Sequence, residues 1–164
     1  MLSILLGSPN KVPPSSILFL REQSLLEHTF VLVQYHVEKS NGEILDCHAL
    51  FDTFLDDQNR WTTSGGDPSC SPQGRTELQP SWGAYGMGSL AKPAGMIYSY
   101  IYGHVWNNDI ASMVITWEDG TQQVVDLNQN TYLALREGRS SRIEVAGKDK
   151  SGKIIYTESF APGE

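Results

Sequence analysis

The 164 residues carry a formal net charge of −7, with 40% hydrophobic, 10% aromatic and 19% charged residues. A chain of this length fits one domain, 1–164, with enough aromatic and β-branched side chains for a core that disordered chains lack. The acidic balance and scattered Lys and Arg exclude a phosphate-backbone footprint, so no nucleic-acid partner is expected; no apolar stretch approaches the ~20 residues that span a bilayer, so no membrane span is expected.

In chain order, Met1 to Gly7 read MLSILLG, apolar but without the basic flank or the length of an export signal. A cytoplasmic protein, or one whose signal or anchor lies upstream of these residues, both fit. After Pro13-Pro14, Ser15 or Ser16 is placed to cap a short N-terminal helix with Ile17, Leu20 and Ser24 on one side, because Leu, Arg, Glu and Gln favour helix; a strand fits the segment almost as well. From Thr29 the chain alternates as TFVLVQYHVEK, and after Ser40-Asn41-Gly42 it resumes as EILDCHALF. A three-residue loop with Gly42 left-handed pairs Lys39 with Glu43 and Val37 with Leu45, then Tyr35 with Cys47, Val33 with Ala49 and Val31 with Phe51. That face is apolar throughout, and the other receives Gln34, His36, Asp46 and His48; a slip of one residue would mix the two sets. The hairpin part spans 28–55.

Residues 56–93 are rich in Gly, Pro, Ser, Asp and Gln and read as a long loop, whose Trp61, Trp82, Tyr85 and Met87 are expected to fold back onto the body of the domain. Beyond Gly95, Met96, Tyr98, Tyr100, Tyr102 and His104 alternate with Ile97, Ile101 and Val105 in a strand pattern that opens a hairpin-rich part over 95–160. IASMVITW and TQQVVDL flank the turn EDG around Asp119-Gly120, a two-residue turn signal, TYLALREG reads as a strand, and RIEVAGKD and KIIYTESF flank the turn KSG.

Turn signals every ~8–12 residues, with no helix-length segment between them, predict a mainly β, antiparallel β-sandwich or barrel. Ile101-Tyr102-Gly103, Ile110 to Trp117, Asp119-Gly120, Thr131-Tyr132-Leu133, and Asp149 to Lys153 before Ile154-Ile155-Tyr156 together resemble the Ig-like β-sandwich modules of bacterial surface, secreted and lipoprotein chains. The resemblance covers residues 101–156. It implies an Ig-like sandwich in an extracytoplasmic setting, cell-surface or secreted, with a protein or cell-envelope partner and no active site of its own.

Three groups of side chains are candidates for chemistry. His36, Asp46 and His48 share one hairpin face, and imidazole with carboxylate suits zinc or nickel, although a solvated His–Asp pair fits equally. Trp61, Trp82, Tyr85, Tyr98, Tyr100 and Tyr102 suit sugar stacking or protein recognition, while a plain core role also fits them. Cys47 and Cys70 have no CxxC pair and no His at the spacing that completes a zinc motif, so two free or buried thiols or one disulfide of an oxidising compartment both fit. Ser64 fits neither GxSxG nor SxxK and Ser89 does not fit GxSxG, and Asp56-Asp57 reads as a polar turn more than as a glycosidase pair. The expectation is a non-catalytic binding module without cofactors; the alternatives are a carbohydrate-binding module using the loop aromatics and a hydrolase with an unrecognised site.

Overall fold

The computed structural model describes residues 17–72, 81–91 and 93–161. Among them eleven strands follow in order: β1 (Leu18–Leu25), β2 (His28–Glu38), β3 (Ile44–Leu55), β4 (Trp61–Pro72), β5 (Ser81–Ser89), β6 (Ile97–Val105), β7 (Ser112–Trp117), β8 (Gln122–Asp126), β9 (Thr131–Glu137), β10 (Ile143–Lys148) and β11 (Ile154–Phe160). Every pairing is antiparallel. The chain divides into two compact units, Met1–Thr76 and Glu77–Glu164.

The first unit is one sheet in chain order, β1-β2-β3-β4. The β2–β3 register is the one the turn and the alternation predict: Val37 opposes Leu45, Tyr35 Cys47, Val33 Ala49 and Val31 Phe51. Gly42 takes φ 81°, which an L side chain rarely adopts, and Lys39 N donates to Glu43 O while Gly42 N donates to Lys39 O. On one face Val33, Tyr35, Val37, Cys47, Ala49 and Phe51 form a buried cluster with Ile17, Val31 and Leu45 packed on it. The opposite face is polar only near the turn; farther along, it buries Phe30, Leu32, Leu50 and Phe54 together with His28 and Asp52.

Two expectations for this unit are corrected. No described residue is helical: the segment read as a helix is β1, paired along β2 from Leu18–Gln34 to Leu25–His28, with Ser15 and Ser16 outside the described residues. A helix of two or three turns is marginal alone, and ladder hydrogen bonds with burial of Leu20 at 4% exposure outweigh its weak propensity. Nor is 56–93 a loop, since it supplies β4 and β5. Among the described strands β4 lies at the sheet edge, where Pro68 and Pro72 are tolerated because no described strand pairs with its other side.

The second unit is a two-sheet sandwich, with order β5-β6-β9 in one sheet and β11-β10-β7-β8 in the other. Its core draws Ile101 and Val105 from β6, Tyr132 and Ala134 from β9, Met113, Ile115 and Trp117 from β7, Val125 from β8, and Ile143 and Val145 from β10. Alternation along each strand aims these residues inward and their neighbours outward.

The chain reuses one turn design. In β3–β4, Asp56 N donates to Arg60 O and Asn59 N to Asp56 O, with Asn59 at φ 56°. The β10–β11 turn does the same between Asp149 and Lys153, with Gly152 at φ 84°. So does β7–β8 between Trp117 and Thr121, with Gly120 at φ 80°. The turn EDG therefore holds all three residues, Glu118 to Gly120, where Asp119-Gly120 alone signalled two. A single left-handed glycine suits the three-residue loop with its G1 bulge, whereas a two-residue type I′ turn needs two left-handed residues. The β8–β9 connection is of that second kind, with Gln129 at φ 50° and Asn130 at φ 58°.

Candidate functional site

On the β2–β3 hairpin, His36 and Asp46 are cross-strand partners, and His36 Nδ1 donates to Asp46 Oδ1 at 2.6 Å with both side chains partly exposed. His48 lies one row along, opposite Gln34, and is half-buried. Among the described residues no group of three His, Cys, Asp or Glu side chains is arranged to hold a metal ion.

A second His–Asp pair on the same face escaped the sequence reading. His28 Nδ1 donates to Asp52 Oδ1 at 2.5 Å, and the two side chains are 0% and 3% exposed. The Phe54 ring lies 4.8 Å from the His28 ring. The signal was present: extending the hairpin ladder puts His28 opposite Phe54 and Asp52 opposite Phe30, two polar groups in an apolar stretch that satisfy each other.

Cys47 opposes Cys70 directly across β3 and β4, and the two form a disulfide with a Cα–Cα distance of 4.1 Å. Cys47 sits fully buried in the first unit's cluster; Cys70 is exposed.

The aromatic set does not converge. Trp61 stands on β4 with 69% exposure. Tyr98, Tyr100 and Tyr102 line one face of β6 as expected, but the sandwich core lies on its other face, with Ile101 and Val105. Tyr100 and Tyr102 are 5% and 0% exposed and stack at 6.1 Å. Tyr85 packs against the core, hence on the opposite side of the sheet. The Trp82 backbone pairs with His104, and its side chain lies outside the described residues. The glycines of β5 explain how an edge strand forms from so little: Gly88 opposes Tyr98 and Gly86 opposes Tyr100. A Cβ on Gly86 would come within 2.6 Å of Tyr100 Cζ, and one on Gly88 within 2.6 Å of Tyr98 Cε1. The rings lie flat over bare backbone, an arrangement that offsets the poor strand propensity of glycine.

Two depressions of the second unit are lined by described residues. One, of about 570 Å³, lies between the β6–β7 and β10–β11 loops, with Asn107, Asn108, Asp109, Asp149, Lys150 and Ser151 in its lining. The polar atoms there hold the turns together: Asn107 Oδ1 accepts from Asp109 N, and Asp149 Oδ1 accepts from Ser151 N, Ser151 Oγ and Lys153 N. The Ser151 hydrogen bond leads the effects that hold the Asp149 carboxyl below its usual range.

The other depression, of about 490 Å³, lies on the outer face of the four-stranded sheet. The register orders that whole face in rows. Val124, Val114, Ala146 and Thr157 cross the sheet side by side. Gln122, Thr116, Glu144 and Ser159 flank them on one side, and Asp126, Ser112, Lys148 and Ile154 on the other. Val114 is 4% exposed while Val124 and Ile154 reach 64% and 53%. The result is an apolar strip of Val124, Val114 and Ala146 with a mainly polar surround that Ile154 interrupts. It was illegible in the sequence because the rows join β7 to β10 across an intervening strand pair.

Geometry and strand order define an antiparallel β-sandwich protein with a disulfide-linked four-stranded sheet. No protein-family model, no curated protein and no solved structure matches the chain.

Proposed function

We propose that this chain is a non-catalytic β-sandwich binding module of an extracytoplasmic bacterial protein, and that it engages another protein or a cell-envelope component. The observation that carries the reading is the outer face of the β11-β10-β7-β8 sheet, where Val124, Val114 and Ala146 are flanked mainly by hydroxyl, amide and charged side chains, with Ile154 at one end. An apolar centre with a polar rim is the pattern of protein-recognition surfaces. Two further observations support it. Seven strands in a three-plus-four arrangement around one core match the Ig-like plan, and a disulfide belongs to an oxidising compartment.

The test immobilises the full chain and a Val124→Glu variant and compares their binding to solubilised cell-envelope proteins. Because Val124 is 64% exposed, the variant keeps its melting temperature; the proposal expects saturable binding by the wild type and at least a ~10-fold loss in the variant, the factor that ~1.4 kcal/mol represents. Equal binding by the two would remove this face from consideration. A carbohydrate-binding module is the second reading, favoured by the exposed Trp61 ring. A glycan array separates it, with binding lost in Trp61→Ala.

A further inference from the structure

We infer that Cys47–Cys70 is the reducible clasp of a detachable edge strand, and that its reduction frees residues 65–72 of β4 while β2 and β3 stay paired. Among the described strands β4 has a single neighbour, β3. A register shift divides it, since Asp52 opposes Gly65 while Thr53 opposes Thr63, leaving Ser64 bulged.

The two halves are fastened differently. Trp61 to Thr63 emerge from the tight Asp56–Arg60 turn. There Asp56 Oδ1 accepts from Gln58 N and Arg60 N, and Oδ2 takes both Nε and Nη2 of the Arg60 guanidinium. The far half reads GGDPSCSP. Its two prolines donate nothing to a ladder, and ordering its two glycines is costly in entropy. Pro68 and Cys70 are exposed and Ser69 is only partly buried, so these side chains add little hydrophobic hold. The covalent bond to Cys47, itself fully buried in the cluster of Val33, Tyr35 and Phe51, fixes this half.

The bond is reachable from the Cys70 side. A dithiol attacks Cys70 Sγ; the S–S bond breaks, and Cys47 leaves as a thiolate that takes up a proton. The second thiol of the reagent then displaces Cys70, so two electrons pass to the protein and the reagent becomes a cyclic disulfide. Release of residues 65–72 opens the ladder of β3 from Leu45 to Asp52, a template for an extended partner segment.

Peptide-resolved hydrogen exchange of the full chain, with and without dithiothreitol, tests this. Protection at residues 65–71 should fall on the order of 100-fold, the factor associated with losing a cross-link over a loop of this size. Trp61 to Thr63, β2 and β3 should keep theirs, and Cys70→Ser should reproduce the reduced pattern without reductant. Undiminished protection at 65–71 after both thiols are shown to be free overturns the proposal. So does loss of protection in β2 and β3 together with β4, because the bond would then hold the whole unit. If Cys70→Ser does not fold, the wild type under dithiothreitol decides alone.

Discussion

Replacing His28 by Leu should be among the most destabilising single changes in the first unit. The imidazole and the Asp52 carboxylate meet at 2.5 Å with 0% and 3% of their side chains exposed, so the change strips a buried carboxylate of its imidazole. Breaking one side of a buried pair costs ~3–5 kcal/mol, because the remaining charge is left in a medium that solvates it poorly. Replacing both partners by apolar residues costs far less, since no polar group is then left buried without its partner. His28→Leu and Asp52→Leu should therefore each lose ~3–5 kcal/mol, and the double variant should lie within ~2 kcal/mol of the wild type. Denaturant unfolding monitored by exchange of the β2 and β3 amides measures all four corners of this cycle. A single variant losing less than ~1 kcal/mol, or a double variant losing the sum of the two, would refute the reasoning, because the pair would then behave as a solvated surface contact.

Three further outcomes are expected. Asp56 is held down to about 2 from its ordinary 3.8, chiefly by the Arg60 backbone N–H and then by the Arg60 side chain. A depressed folded value means that its contribution is full above the unfolded value and is lost as pH falls from about 3.8 to about 2; Asp56→Ala should abolish that pH dependence in acid unfolding, and an unchanged profile would remove the turn as its source. Leu26 takes φ 55° at 48% exposure, so Leu26→Gly should raise stability by ~1 kcal/mol through relief of left-handed strain; a fall in melting temperature would contradict this. Gly86→Ala should cost ~1–3 kcal/mol by displacing Tyr100 and should alter the near-UV dichroism of the tyrosines, whereas a silent substitution would show that the ring shifts freely.

How much was legible depended on whether a segment's own residues settle its structure. In the first hairpin they do: Gly42 demands a left-handed position and the alternation from Thr29 fixes the face, so turn and pattern agree on one register. The β6 stripe was legible for the same reason, although which of its faces meets the sandwich core depends on β9 and β7, far along the chain. β1, β4 and β5 were illegible because their partners define them. Leu, Arg, Glu and Gln in β1 favour helix until β2 offers a ladder, and Gly86 and Gly88 look like loop residues until Tyr100 and Tyr98 lie across them. The same limit applied to the candidate sites. His36 and Asp46 meet within one hairpin and could be paired on paper, whereas the Cys47–Cys70 bond required the position of β4, which local composition argues against.

The repeated three-residue turn bears on how the chain reaches this structure. Gly42, Asn59, Gly120 and Gly152 each lock one hairpin at its tip, so four of the strand pairings can set their register from a few neighbouring residues, on the ~1–10 μs scale of hairpin closure. The slow events are then the joining of preformed ribbons: β6 to β9 and β7 to β10, whose partners lie roughly thirty residues apart. Loop-closure entropy opposes these steps before any contact rewards them. A mutation at a left-handed tip should therefore slow folding by loosening a ribbon before assembly, while a mutation in the row Val114–Ala146 should leave the hairpins intact and delay only their union.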